Sequence, residues 1–153
     1  LEAVNGLAIA LSDSGRHDEA FTTLQGLLAR QPDDVVALET LGVVELRRQR
    51  PAEARRALER ALERNPESPL AWNTLGVVRA YQSDPRGAIA AWERAVALDA
   101  KLYDAIYNLG LTAARIGDTA RARAALTRYL EVAPAERYPA ETAKVRQLLA
   151  SLR

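Results

Sequence analysis

The chain has 153 residues, 48% of them hydrophobic and 27% charged, a composition typical of a globular domain with one sizeable core. Its 21 basic and 20 acidic residues leave a formal net charge of +1, so no overall field is expected to attract nucleic acid or an anionic membrane. Cysteine is absent, which excludes disulfides and thiolate metal sites, and no apolar run approaches the roughly 20 residues of a membrane span. Leu and Ala fill most apolar positions, and this mixture predicts an all-α fold.

A period of 34 residues runs along the chain. Pro32, Pro66 and Pro134 lie at multiples of this spacing, and Ala100 stands where the remaining proline of the series would fall. The resulting units are 1–34, 35–68, 69–102 and 103–136. Three columns that agree across them hold Leu7, Leu41, Leu75 and Leu109; Ala20, Ala54, Ala88 and Ala122; and Ala8, Gly42, Gly76 and Gly110. This agreement predicts four copies of one supersecondary unit.

Within each unit, two apolar stretches at helical spacing are separated by turn-forming residues. In the second unit these stretches run from Leu38 to Leu46 and from Ala54 to Leu62. Asp84 and Asp118 are placed to cap the second helix of their units, because their carboxylates can accept from the exposed amides of its first turn. The intervening turns are expected at 13–15, 49–51, 83–85 and 117–119. Each unit is therefore predicted to be a helical hairpin.

The two ends of the array differ in their apolar patterns. A helix is predicted over 138–153, with Val145, Leu148, Leu149 and Leu152 on one stripe. Because an array must cover its last apolar face, segment 137–153 is interpreted as a C-terminal capping helix. The first helix is instead apolar nearly all round, through Leu1, Val4, Leu7, Ile9 and Leu11. We therefore hypothesise that upstream repeats, another domain or a second copy of the chain packs against it.

The motif Trp72-Asn73-Thr74-Leu75-Gly76 carries Trp, Leu and Gly at the spacing of the tetratricopeptide repeat family, and Ala88, Trp92 and Ala95 continue it. The chain resembles this family over residues 1–136. The resemblance implies a right-handed superhelix of four helical hairpins, an α-solenoid, that acts as a scaffold for protein–protein interaction. One column departs from the family, which often has Tyr where this chain has Leu11, Glu45, Arg79 and Ala113. We expect Glu45 and Arg79 to pair between neighbouring units instead.

The resemblance also implies a binding surface, because the first helix of each hairpin lines the concave groove in this family. Family ligands contact the second, fifth, ninth, twelfth and thirteenth positions of that helix. The groove residues carried over to this chain are Asn5, Ile9, Glu39, Val43, Arg47, Asn73, Val77, Tyr81, Tyr107, Leu111 and Arg115. An aliphatic stripe with Asn, Tyr and Arg beside it suits a peptide with apolar anchors. Alternatively, the aliphatic side chains only pack against adjacent first helices.

The family's carboxylate-clamp pattern, which binds acidic chaperone tails, requires a Lys and an Asn at the fifth and ninth positions of one repeat. Asn5 and Ile9 occupy these positions in the first unit, and Glu39 and Val43 in the second. Neither unit fits, so the sequence does not favour binding of chaperone tails.

No constellation of catalytic or metal-ligating residues is apparent in the sequence. His17 is the only histidine and falls in a turn, where it has no cysteine or second histidine to join. Glu59 and Glu63 alternate with arginines at spacings that favour ion pairs within a solvated helix. Trp72 and Trp92 fall in apolar columns and are expected to be buried in the core. We predict no catalytic residue, no metal site and no cofactor.

These features favour a non-catalytic scaffold that binds a protein or peptide in its groove, with no nucleic-acid partner and no membrane span. The alternative is an accessory or oligomerisation region of a larger enzyme whose catalytic domain lies upstream. Lysine occurs only at positions 101 and 144, so nearly all the positive charge is Arg, a bias that GC-rich bacterial genes often produce. The chain also begins at Leu1 rather than Met, and we expect a fragment of a larger bacterial protein.

Overall fold

A computed structural model describes residues 2–152, so Leu1 and Arg153, which belong to the predicted first and last segments, lie outside the described residues. Over this range the chain forms nine α-helices and no strand. The helices are α1 (Glu2–Asp13), α2 (His17–Arg30), α3 (Val35–Arg47), α4 (Pro51–Arg64), α5 (Pro69–Tyr81), α6 (Pro85–Leu98), α7 (Tyr103–Arg115), α8 (Thr119–Val132) and α9 (Pro139–Ser151). The all-α solenoid predicted from the sequence is confirmed.

The helices pack in serial order. The α1/α2, α3/α4, α5/α6 and α7/α8 pairs form hairpins, which we describe by their first helices (α1, α3, α5 and α7) and second helices (α2, α4, α6 and α8). Each second helix also contacts the first helix of the next hairpin, while α1 contacts α3 and α3 contacts α5. Each hairpin therefore buries its apolar face mainly against its immediate neighbours.

Helix starts are fixed by side-chain caps at several positions. The carboxylate of Asp84 accepts a hydrogen bond from the Gly87 amide at 2.9 Å, and that of Asp118 accepts one from the Arg121 amide at 3.1 Å. Both predicted caps are thus present. Ser68 caps α5 in the same way, accepting from the Ala71 amide at 3.1 Å.

The turn inside each hairpin has the same backbone conformation at its fifteenth repeat position. Gly15 and Gly117 have φ of 81° and 80°, while Gln49 and Ser83 have φ of 62° and 61°. All four residues therefore lie in the left-handed region. Glycine adopts this conformation without steric cost, whereas Gln49 and Ser83 must place a Cβ there.

Glycine at the eighth repeat position allows close approach within three hairpins. A Cβ added to Gly42 would lie 2.5 Å from Leu58 Cγ, and one added to Gly110 would lie 2.6 Å from Leu126 Cδ2. At Gly76 the added atom would overlap the Trp92 indole. The large side chain of the second helix thus sits directly against the backbone of the first.

Two local expectations need correction. Trp92 is buried at 2% exposure, but Trp72 is only half-buried and donates from Nε1 to the Pro66 carbonyl at 2.9 Å. Glu45 pairs with Arg48 at 3.0 Å within its own unit. Arg79 donates to the Gly87 carbonyl within its own hairpin. The predicted pairing of Glu45 and Arg79 between units is therefore wrong, because each finds a nearer partner.

The ends of the array also differ in burial. Helix α9 packs on α8, with Val145 fully buried and the other apolar residues of its stripe half-buried. Tyr138, at its start, stacks against Tyr103 with ring centroids 5.2 Å apart. On α1, by contrast, Leu7 is 53% exposed.

Candidate peptide-binding groove

The first helices place the predicted groove residues in three different environments. Ile9 and Tyr81 are exposed at 47% and 63%, and Arg47 and Arg115 are also exposed. Asn5 and Glu39 are buried. The half-buried residues are Val43, Asn73, Val77, Tyr107 and Leu111. Most of the aliphatic stripe therefore packs against neighbouring helices on one side and remains accessible on the other.

Two clefts interrupt this surface. The N-terminal cleft lies between α1 and α3, and the C-terminal cleft between α5 and α7. The N-terminal cleft has a volume of about 170 Å³ and is lined by Ile9, Ser12, Asp13, Thr40, Val43, Val44, Arg47 and Leu70. The C-terminal cleft has a volume of about 640 Å³ and is lined by Val77, Ala80, Tyr81, Trp92, Asn108, Leu111, Thr112, Arg115 and Lys144.

The two clefts are built from the same repeat positions. Each uses the ninth, twelfth and thirteenth positions of one first helix and the sixth, ninth, tenth and thirteenth of the next. They differ in the remaining lining residues. These are Leu70 in the N-terminal cleft and Trp92 with Lys144 in the C-terminal cleft. Because the backbone frame is shared, differences between the clefts come from the side chains.

Sequence reasoning missed part of this lining. The sixth and tenth positions, represented by Asn108 and Thr112, were not among the predicted contact residues. Lys144 lies off the apolar stripe of α9, and it reaches the cleft through the packing of α9 on α8.

The arginines at the thirteenth position have contrasting partners. Arg47 Nη1 donates to Asp13 Oδ1 at 2.7 Å and to Ser12 Oγ at 2.9 Å. Arg115 has no hydrogen-bond or ion-pair partner within residues 2–152, and Lys144 Nζ lies 6.0 Å from the centroid of the Tyr107 ring. The N-terminal cleft is therefore internally neutralised, whereas the C-terminal cleft presents two cations.

Asparagine occupies the fifth repeat position in the first and third units. Asn5 Oδ1 and Asn73 Oδ1 are buried and have no partner among the described residues. The backbone oxygen of Asn73 accepts from Trp92 Nε1 at 3.2 Å, which fixes the indole at the wall of the C-terminal cleft. Tyr129 packs against Tyr107 with ring centroids 5.2 Å apart, and burial raises the pKa of its phenol above the usual value.

The described residues provide neither a cluster of metal ligands nor a helix that could span a membrane. No group of three or more His, Cys, Asp and Glu side chains in this part of the chain is placed to hold a metal ion. His17 begins α2, where its Nδ1 lies 3.5 Å from Ser12 Oγ. None of the nine helices is long and apolar enough to cross a bilayer.

The tetratricopeptide repeat family model matches residues 5–69, 39–80 and 74–140. These matches cover most of the chain, which therefore belongs to the tetratricopeptide repeat family. The fold is typical of scaffolds for protein–protein interaction.

Several solved structures share this fold. A crystal structure of MamA is 23% identical, with a TM-score of 0.77 over 94% of this chain and 92% of that chain. MamA from Desulfovibrio magneticus RS-1 is 25% identical, with a TM-score of 0.77 over 86% of this chain and 74% of that chain. PilF of Pseudomonas aeruginosa is 19% identical, with a TM-score of 0.81 over 99% of this chain and 76% of that chain. A comparison with curated protein sequences gives no significant match.

Proposed function

We propose that this chain is a non-catalytic scaffold that binds a peptide or an extended protein segment in the groove formed by its first helices. The C-terminal cleft is the observation that carries the proposal. Its volume of about 640 Å³ falls within the range of about 300–1,000 Å³ that small-ligand sites occupy. The aliphatic side chains of Val77 and Leu111 flank it, and polar groups surround them.

The arrangement suits a peptide more than a flat protein surface. An apolar peptide side chain between Val77 and Leu111 would lose its contact with water, which supplies affinity. Asn108 and Thr112 lie beside this position and can bond polar groups of the peptide backbone. The proposed surface comprises the nine predicted groove residues that are exposed or half-buried, with Ile9 and Val43 extending it into the N-terminal cleft, while Asn5 and Glu39 lie buried beneath it.

We also propose that the chain is organised as four repeats, 1–34, 35–68, 69–102 and 103–136, with 137–153 as a C-terminal cap. The support comes from α9, whose Val145 is buried in the same cluster as Ile106 and Leu126 of the fourth hairpin. Covering that cluster is what a terminal cap does in a repeat array.

The test uses a random twelve-residue peptide library displayed on phage and selected on the purified protein. Selected peptides are then titrated against the protein and against a Val77→Glu, Leu111→Glu double variant. Two carboxylates in the cleft should abolish binding, because they place charge where an apolar side chain must sit. If the double variant retains its helicity and binds the peptides unchanged, the groove is not the binding surface.

A matched control adds the same charge elsewhere. Ala52 and Ala120 are exposed residues in the first turns of second helices, where added carboxylates are favoured by the helix dipole. The Ala52→Glu, Ala120→Glu variant should bind the selected peptides as the unmodified chain does. Weakened binding in this variant would show that net charge, rather than the cleft, controls affinity.

A second candidate function, an accessory or assembly region of a larger protein, is favoured by the outer face of α1. Leu7 is 53% exposed, whereas Leu75 and Leu109, at the same repeat position, are buried at 1% and 6%. In the later repeats this position faces the preceding hairpin, so α1 presents an interface with no partner within residues 2–152. Upstream repeats, another domain or a second copy would cover it.

Sedimentation of the chain tests the second-copy version of this candidate. Concentration-dependent association that is lost in Leu7→Glu would support it. A monomer at all concentrations would leave only packing within a longer chain.

A further inference from the structure

We propose that the C-terminal cleft recognises an aspartate or glutamate side chain of the partner peptide at Arg115, next to an apolar side chain held between Val77 and Leu111. This inference rests on the proposed function and names the chemistry of the ligand.

In the N-terminal cleft, the arginine at the thirteenth repeat position bonds to residues of the preceding first helix. Asp13, at the thirteenth position of the preceding first helix, accepts from Arg47 at 2.7 Å, and Ser12 accepts at 2.9 Å. Charge-assisted bonds of this kind are among the stronger hydrogen bonds in proteins. A carboxylate from one repeat thus neutralises the guanidinium of the next.

In the C-terminal cleft both acceptors are replaced. Tyr81 stands at the position of Asp13, and Ala80 stands at the position of Ser12. Arg115 keeps the same place as Arg47 but has no hydrogen-bond or ion-pair partner within residues 2–152. The preceding first helix supplies no carboxylate to Arg115, so we expect the ligand to supply one.

The surroundings of Arg115 strengthen its preference for an anion. Lys144 of α9 adds a second cation to the lining, and none of the described lining residues carries a carboxylate. Positive charge on one partner favours negative charge on the other and suppresses basic ligands. A basic peptide is therefore disfavoured by repulsion and by the lack of a carboxylate among the described lining residues.

Space is available for a peptide side chain as well as for the carboxylate. The C-terminal cleft has a volume of about 640 Å³, against about 170 Å³ for the N-terminal cleft. The small side chain of Ala80 leaves room beside the buried Trp92 indole. Because the same lining includes Val77 and Leu111, an apolar residue near the acidic one would be enclosed with it.

A peptide carboxylate is favoured over a nucleic-acid phosphate. The occupant of the equivalent position in the N-terminal cleft is a carboxylate, that of Asp13. Two cations beside an aliphatic wall do not form the extended basic track that a nucleic-acid backbone requires. The formal net charge of +1 gives no overall attraction to a polyanion.

The experiment measures fluorescence anisotropy with labelled twelve-residue peptides whose C termini are amidated. Each peptide carries one leucine and one variable residue at a separation of one to four positions, and the variable residue is Asp, Glu, Asn or Lys. We expect the best Asp or Glu peptide to bind about 10-fold more tightly than its Asn counterpart. The corresponding Lys peptide should bind most weakly.

Three variants assign the preference to Arg115. Arg115→Gln should remove the difference between Asp and Asn peptides, while Arg56→Gln, at an exposed arginine of α4 outside the groove, should leave it intact. Tyr81→Asp rebuilds the arrangement of the N-terminal cleft, and its new carboxylate should pair with Arg115 and also remove the difference. Thermal melts of the variants establish that each is folded.

The possible results separate this inference from the proposed function. If Asp and Asn peptides bind equally, or the preference survives in Arg115→Gln, the carboxylate site is refuted even though the Val77→Glu, Leu111→Glu variant still abolishes binding. If the peptides bind only when they are resynthesised with a free C-terminal carboxylate, the side-chain source is wrong. If no peptide of any composition binds, both proposals fail.

Discussion

Gly76 offers a sharp test of how the hairpins are packed. A Cβ added by Gly76→Ala would overlap the indole of Trp92, which is 2% exposed and therefore has little room to move. The nearest atom to the added Cβ is Nε1, whose hydrogen bond to the Asn73 carbonyl spans 3.2 Å. Relieving the overlap would strain this bond as well as the surrounding core.

The magnitude follows from two opposing effects. Overpacking a core typically costs about 1–3 kcal/mol, and a strained hydrogen bond adds about 1 kcal/mol. In the opposite direction, replacing a glycine inside a helix by alanine stabilises the folded protein by about 0.5–1 kcal/mol. We therefore expect Gly76→Ala to lower the free energy of unfolding by about 1–3 kcal/mol.

Gly26 provides the matched control, since it also lies inside a helix but would meet no atom within 4 Å after the same substitution. Gly26→Ala should raise the free energy of unfolding by about 0.5–1 kcal/mol. Urea denaturation followed by circular dichroism compares the two variants with the unmodified chain. Equal stabilisation by both substitutions would refute the close crossing of α5 and α6.

Two further predictions concern the turns and the C-terminal core. Ser83→Gly should stabilise the protein by up to about 1 kcal/mol in urea denaturation, because φ is 61° there, while Gly15→Ser should have the opposite effect; destabilisation by Ser83→Gly would show that the turn is unstrained. Burial raises the pKa of Tyr129 above that of the unfolded chain, so its contribution to stability is complete below about pH 10 and is lost as pH rises further. Between about pH 9 and 11.5, the melting temperature should therefore fall less steeply with rising pH for Tyr129→Phe than for the unmodified chain. Identical slopes would contradict this.

The architecture was accessible from the sequence because the 34-residue period repeats the same packing requirement. The glycines and alanines at helix crossings, the capping aspartates and the apolar stripe of α9 can each be identified from residue type and spacing. These patterns are visible in the sequence itself, so they could be predicted without the structure.

The fine structure of the groove was less accessible. The thirteenth-position column, with Asp13, Arg47, Tyr81 and Arg115, was visible in the sequence, but its meaning depends on distances between successive first helices. The 2.7 Å contact between Arg47 and Asp13 pairs the arginine of the N-terminal cleft, whereas Arg115 of the C-terminal cleft has no such partner among the described residues. Lys144 reaches the cleft through the tertiary packing of α9, which no repeat column describes.

Intermolecular contacts detected by NMR test groove binding most directly. The valine and leucine methyl groups of the protein are labelled in the complex with a peptide selected from the phage library, and nuclear Overhauser effects to the peptide are recorded. Groove binding predicts effects from both residues to an apolar side chain of the peptide. Effects that arise only from second-helix methyls such as those of Leu62, or from Leu7 on the outer face of α1, would contradict it.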